Sequence, residues 1–183
     1  MRAITVRQVA APILACGLAL SLTACGGGRE YTVPDKACGV PLNKKELDPF
    51  LVDGEKLEVA GRSLIDTGTK THGQCILWVD GWRVLDLQIE KVDKIYDPMA
   101  PLEDFRFKNR EKLKDMPFPG LGAVGDFNSM VSTTCSGPSA DHIVVYVSTS
   151  LQSDGDVTER RKNVESFTLD FVPKVKDALQ CTA

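Results

Sequence analysis

Cys75-Ile-Leu-Trp-Val-Asp80-Gly81-Trp-Arg-Val-Leu-Asp-Leu-Gln-Ile89 is the stretch on which the fold turns. Asp-Gly between two runs rich in β-branched and aromatic residues marks a two-residue hairpin, because both central positions of such a turn need positive φ. The implied register sets Val79 opposite Trp82 and Trp78 opposite Arg83. One face then carries Ile76, Trp78, Leu85, Leu87 and Ile89; the other carries Cys75, Leu77, Val79, Trp82 and Val84 near the turn. With apolar side chains on both faces, this end of the sheet is expected to be covered on both sides. Packing in the core is the ordinary use of Trp78. Trp82, beside the turn, is read as an exposed anchor for a partner or a membrane interface, or as a cover for a nearby disulfide.

Outward from the hairpin, residues 56–65 read as a strand ended by Thr67-Gly68, and 127–135 with 142–151 read as a second strand pair joined by Ser136-Gly137-Pro138-Ser139. Asn43-Lys-Lys-Glu46 has the form of a capping box for a short helix through Leu47, limited by Pro49. The polar stretch 102–115 is expected to be helical, held by Phe105, Leu113 and Met116. Asp156-Val-Thr-Glu159 opens a last helix, in which Val164, Phe167, Phe171 and Val175 recur at helical spacing and Pro173 should kink or interrupt the run. The expected architecture is α+β: an antiparallel sheet of about five strands with helices packed on it and two disulfides.

The ends of the chain read differently. Arg2 and Arg7 precede an uncharged run from Val9 to Leu22, the layout of an export signal. That run falls short of the roughly 20 apolar residues a bilayer span needs, and Pro12 interrupts it. Leu22-Thr23-Ala24-Cys25 follows and resembles the lipobox of bacterial lipoproteins. The resemblance implies a diacylglyceryl thioether on Cys25 and cleavage just before it. Residues 1–24 are thus expected to be a signal peptide, 25–36 a flexible tether beginning Gly26-Gly27-Gly28, and 37–183 a single domain. About ten flexible residues have a typical reach of roughly 17–20 Å, so the domain would work close to a membrane surface. The 22 basic and 25 acidic residues lose Arg2 and Arg7 with the signal, leaving a net charge of −5. Such a domain has no general attraction for nucleic acid or anionic headgroups, and the lipid must supply membrane affinity.

Cys38, Cys75, Cys135 and Cys181 remain, an even number in an exported domain, and allow three pairings. The pairing 38–75 with 135–181 is preferred because each bond then staples a helix-like to a strand-like segment. With no C-x-x-C and no paired histidines, zinc and redox roles are not expected. Ala37-Cys38-Gly39, Cys75-Ile-Leu-Trp78, Gly120-Leu121-Gly122 and Ala178-Leu179-Gln180-Cys181 together resemble a group of small actinobacterial secreted lipoproteins of unknown function. More distantly they resemble the extracytoplasmic sensor domains of actinobacterial receptor kinases. Neither resemblance brings catalytic residues.

Motifs for chemistry are thin. Gly120-Leu-Gly122-Ala-Val-Gly125 spells a dinucleotide fingerprint, but Pro117-Phe-Pro119 precedes it and a strand-like run follows, so a turn is expected and no cofactor. Gly68-Thr-Lys70-Thr71 lacks P-loop spacing, and Asp154-Gly155-Asp156 lacks alternating calcium ligands. His72 and His142 are the two histidines; Asp141 and His142 would point to opposite faces of a strand, and Ser129, Ser136 and Ser139 sit in no nucleophile motif. The expectation is a non-catalytic binding or accessory module, anchored by Cys25 on the outer face of the cytoplasmic membrane, with a protein or small-molecule partner. A small extracytoplasmic hydrolase is the alternative.

Overall fold

The computed structural model describes residues 28–65, 71–138, 140–150 and 156–182. Its centre is a seven-stranded antiparallel sheet in the order β3-β4-β5-β9-β8-β7-β6, made of β3 (Leu57–Gly61), β4 (His72–Val79), β5 (Trp82–Val92), β6 (Glu111–Lys112), β7 (Leu121–Val124), β8 (Asn128–Gly137) and β9 (Ala140–Thr149). A two-stranded ribbon, β1 (Lys36–Ala37) with β2 (Val40–Pro41), forms a second sheet whose Ala37 and Val40 are buried in the same core. The sheet is therefore wider than the five strands expected. The extra strands are short edge pieces, whose few residues carry little alternation for sequence to show.

The hairpin forms with Asp80 at φ 48° and Gly81 at φ 81°, and with Val79 opposite Trp82 and Trp78 opposite Arg83. Beyond the turn the expected faces are overturned. A bulge between Leu77 and Trp78 inserts Val84, so that Leu77 faces Leu85 and Cys75 faces Leu87. One extra residue flips every later side chain to the other face. Cys75, Leu77, Val79, Leu85, Leu87 and Ile89 consequently join one core, whereas Trp78, assigned to that core from sequence, lies half-buried on the opposite face.

The core lies between this face and α2 (Val157–Ala178), which opens at Asp156, whose side chain accepts from Thr158 N. Val164, Phe167, Phe171 and Val175 are buried, as their spacing predicts. Helix α2 runs through Pro173 without a break, a difference from the expected interruption; Phe171, Val172 and Val175 are buried on either side and hold the segment in place. The short helix α1 (Lys44–Leu47) is capped by Asn43, which accepts from Lys45 N at 3.1 Å. Glu46 accepts from Ser166 of α2 and joins the two helices. A 3₁₀ turn at Asp48–Phe50 follows and places Phe50 edge-on to Phe167, ring centroids 5.5 Å apart, with Phe171 stacked beyond at 5.4 Å.

The helix expected over 102–115 does not form. Pro101–Arg106 is a 3₁₀ turn, Asn109 and Asp115 take positive φ (53° and 51°), and Glu111–Lys112 is strand β6. Left-handed residues six apart cannot share one helix, and Arg110 turns inward to donate to the carbonyls of Pro98 and Ala100 at 2.8 and 2.9 Å. Of the three anchors expected, Leu113 is buried and Met116 packs on the core, but Phe105 is exposed.

Cys38 is bonded to Cys75 and Cys135 to Cys181. The first bond ties the β1–β2 turn to β4, not a helix to a strand as reasoned from sequence. The second holds the chain just beyond α2 to β8, where Thr182 also donates to the carbonyls of Cys135 and Ser136.

The described part of the segment expected as a tether packs along the domain. Residues 28–31 lie along the segment 48–54: Glu30 N donates to Gly54 O at 2.9 Å and Gly54 N to Gly28 O at 3.2 Å. Arg29 pairs with Asp48 and donates to Leu51 O at 2.6 Å, and the Tyr31 hydroxyl donates to Val52 O. Tyr31 and Val33 pack against the core. Apolar and charged side chains give this arm something to bind that three glycines would not. Among the described residues no helix is long and apolar enough to cross a membrane.

Candidate functional site

Among the described residues no α-helix covers the face of the sheet opposite α2. It presents Asp86, Gln88 and Glu90 from β5, Val144, Tyr146 and Ser148 from β9, and Asn128, Met130 and Ser132 from β8, in register across the three strands. The connection from β5 to β6 crosses this face. Tyr96 N donates to the Ser132 hydroxyl at 2.9 Å, and Asn128 Nδ2 donates to Arg106 O at 2.7 Å. These bonds pin the crossing loop to β8 at two points, and two depressions share Arg106 as a wall.

The larger has a volume of about 370 Å³ and is lined by Phe105, Arg106, Lys108, Phe127, Asn128 and Ser148 among others. The smaller, about 150 Å³, is lined by Glu90, Tyr96, Glu103, Met130, Val144 and Tyr146 together with Arg106. Arg106 lies 4.8 Å from the Phe105 ring and 5.3 Å from that of Tyr146, while its Nε pairs with Glu103. Stacking over two rings and pairing with a carboxylate fix the guanidinium plane. The Tyr146 hydroxyl donates to Glu90 at 3.3 Å. Burial, with the nearby Glu90 carboxylate adding to it, pushes the Tyr146 phenol up to about 12, so it stays a neutral donor at any physiological pH. Beside the cleft the nearly buried Asp86 is saturated: Gln74 Nε2 reaches both oxygens at 3.1 Å, and Arg83 and Gln88 donate at 3.3 Å. It is a network that fixes the strands, with no carboxylate oxygen left over for a ligand.

This arrangement offers aromatic surfaces, neutral hydroxyl and amide groups and two cations held by neighbouring carboxylates. Lys108 lies 4.0 Å from Asp126. Such a site can hold a ligand with flat or apolar parts and orient it by hydrogen bonds.

The residues singled out from sequence do not gather here. His72 is exposed at the start of β4, with its Nε2 3.5 Å from Arg62. His142 is half-buried on β9, its Nδ1 buried without a hydrogen-bond partner among the described residues, and Asp141 is exposed. Ser129 is buried and bonded to Thr168 of α2 at 2.6 Å. Gly120–Gly125 provides strand β7, whose Gly122 packs directly on Leu113 and Met116; no helix follows it. Residues 66–70, Ser139 and 151–155 lie outside the described residues, and so do residues 1–24, expected to be a signal peptide, and Cys25. Among the described residues no three histidine, cysteine or acidic side chains are placed to hold a metal ion. Trp82 is 58 % exposed at the hairpin tip.

Arg106, Tyr146 and Glu90 were missed by sequence reasoning. They come together because β5 pairs with β9, placing Gln88 opposite Tyr146, and because the loop folds back over that pair. A hydrophobic pattern within one strand carries no such signal. No protein family, curated protein or solved structure matches the chain.

Proposed function

We propose that this chain is a cell-envelope lipoprotein, anchored through a lipid on Cys25 to the outer face of the cytoplasmic membrane, that binds a small molecule or a partner protein's segment in the cleft around Arg106 without catalysing a reaction on it. The observation that carries the reading is the combination of an export-signal pattern ending in Leu22-Thr23-Ala24-Cys25 with two disulfides in the folded domain. Structural disulfides persist where the surroundings are oxidising. The cleft supports the binding half of the reading, since its groups are suited to stacking and hydrogen bonding and pair with one another rather than forming a nucleophile and base.

The test uses the full chain in intact cells. A photo-crosslinking amino acid replacing Ser148, in the wall of the larger depression, is expected to capture one discrete partner. Arg106→Glu should abolish that capture, while mass spectrometry should find a diacylglyceryl group on Cys25. An unmodified Cys25, or capture that is unaffected by Arg106→Glu, overturns the corresponding half of the proposal.

A further inference from the structure

One end of the sheet carries three of the five large exposed apolar side chains among the described residues, Val59 and Leu102 being the other two, and it is also where residue 28, the first described residue after Cys25, joins the fold. At that end the β4–β5 tip carries Trp82, 58 % exposed. Gly54 lies against Val79 and Asp80 of the same tip, and Asp80 accepts from Glu55 N and Lys56 N at 3.0 and 2.9 Å. Because Gly54 is also the residue to which Gly28 and Glu30 bond, the arm enters the fold beside this hairpin. Across the end, Phe105 is 78 % exposed above Asn128 and Ser148. The register sets Ser148 level with Asp86 and Asn128, only a few residues from the same tip. Val157, 41 % exposed, starts α2 here too, since Arg160 in the next turn stacks 4.3 Å from the Phe127 ring.

Three peptide units separate Cys25 from Gly28, a span of at most about 11 Å even when fully extended. With the arm seated, an acyl group on Cys25 cannot be far from this end of the sheet. We infer that the end bearing Trp82, Phe105 and Val157 rests on the bilayer itself, with Trp82 seated in the interfacial layer. The placement depends on the lipid anchor proposed above. Trp is the side chain best suited to that layer, its ring apolar and its N–H still able to meet headgroup oxygens. The net charge of −5 after signal removal gives no electrostatic pull toward an anionic surface, so contact is made by these apolar groups and enforced by the short tether.

Trp78 and Trp82 are the two tryptophans of the chain, so fluorescence reads this directly. The full-length acylated protein is reconstituted in phosphatidylcholine vesicles with or without bromine on the acyl chains near the headgroup. Contact at a depth of roughly 5–10 Å should remove about half of the Trp82 emission in brominated vesicles, and Trp82→Phe should eliminate that quenching while leaving the Trp78 signal. Quenching that persists in Trp82→Phe overturns the placement. So does an acylated protein whose Trp82 is insensitive to bromine yet open to acrylamide, or shielded from both by a second copy of the chain; the anchor would then stand without this orientation. Absence of the acyl group by mass spectrometry overturns the anchor and this placement together.

Discussion

Asp126 is 1 % exposed, and a carboxylate that deeply placed must find partners for its charge. Arg161 Nη2 donates to one oxygen at 2.7 Å and Asn109 Nδ2 to the other at 2.9 Å. The Arg161 hydrogen bond leads the effects that hold the Asp126 carboxyl below the usual range, outweighing burial, which acts the other way. One side chain thereby joins the first turns of α2 to the loop before β6 and to the β7–β8 turn. Since the folded value is depressed, the stabilisation is present above the unfolded carboxylate value of about 4 and is lost as pH falls from there through the folded value. Urea midpoints measured between about pH 7 and pH 3 should drop steeply for the wild type. Asp126→Asn should start lower at neutral pH and lose less over the same interval. Parallel curves for the two proteins would show that another group is responsible for acid sensitivity.

Helix α2 shows what an element inherits from its own sequence and what it borrows. Val164, Phe167, Phe171 and Val175 announce its buried stripe because helical spacing is a local property, and the Asp-Gly hairpin is legible for the same reason. The faces of β5 were not, because nothing local marks Val84 as the inserted residue of a bulge. Residues 102–115 failed for a related reason: good helix formers fill the stretch, but Asn109 and Asp115 adopt φ values that only tertiary contacts select, among them the reach of Arg110 to Pro98 and Ala100. What α2 borrows is its C-terminal attachment. The bond between Cys135 and Cys181, 46 residues apart, closes a loop worth about 4 kcal/mol in the chain-entropy model, with measured cases near 2–5 kcal/mol. Replacing both cysteines by alanine should cost that amount in urea unfolding. Hydrogen exchange should quicken first in the last turns of α2, before the middle where Phe167 and Phe171 stack. A double variant with the wild-type midpoint would show that Thr182 and the buried Leu179 hold the end without the bond.

At the scale of the whole molecule, the distance between the domain and the proposed anchor on Cys25 is set by how much of the N-terminal segment is free, which composition alone does not fix. Gly26-Gly27-Gly28 has the look of a leash, and so the whole run to residue 36 read as flexible, yet Arg29, Tyr31 and Val33 each find a place on the body. The strand order β3-β4-β5-β9-β8-β7-β6, and with it the cleft under the crossing loop, was equally hidden, because it depends on the β5–β9 pairing between residues 50 to 64 positions apart. Seating of the arm can be measured by proteolysis. Trypsin cuts after arginine only when the backbone opens, and Arg29 is held by its ion pair with Asp48 and its bonds to the carbonyls of Asp48 and Leu51. An ion pair with its carboxylate this exposed is worth about 0.2–1 kcal/mol, so Asp48→Ala should raise the population of the open arm by up to about fivefold. When opening is fast compared with cleavage, the rate of cutting after Arg29 follows that population, and it should rise by the same factor while cutting after Arg83, in the hairpin, stays unchanged. Equal rates after Arg29 in wild type and variant would mean that the arm is already loose, that the leash is the longer one its glycines advertise, and that the domain is not confined to one orientation by its tether.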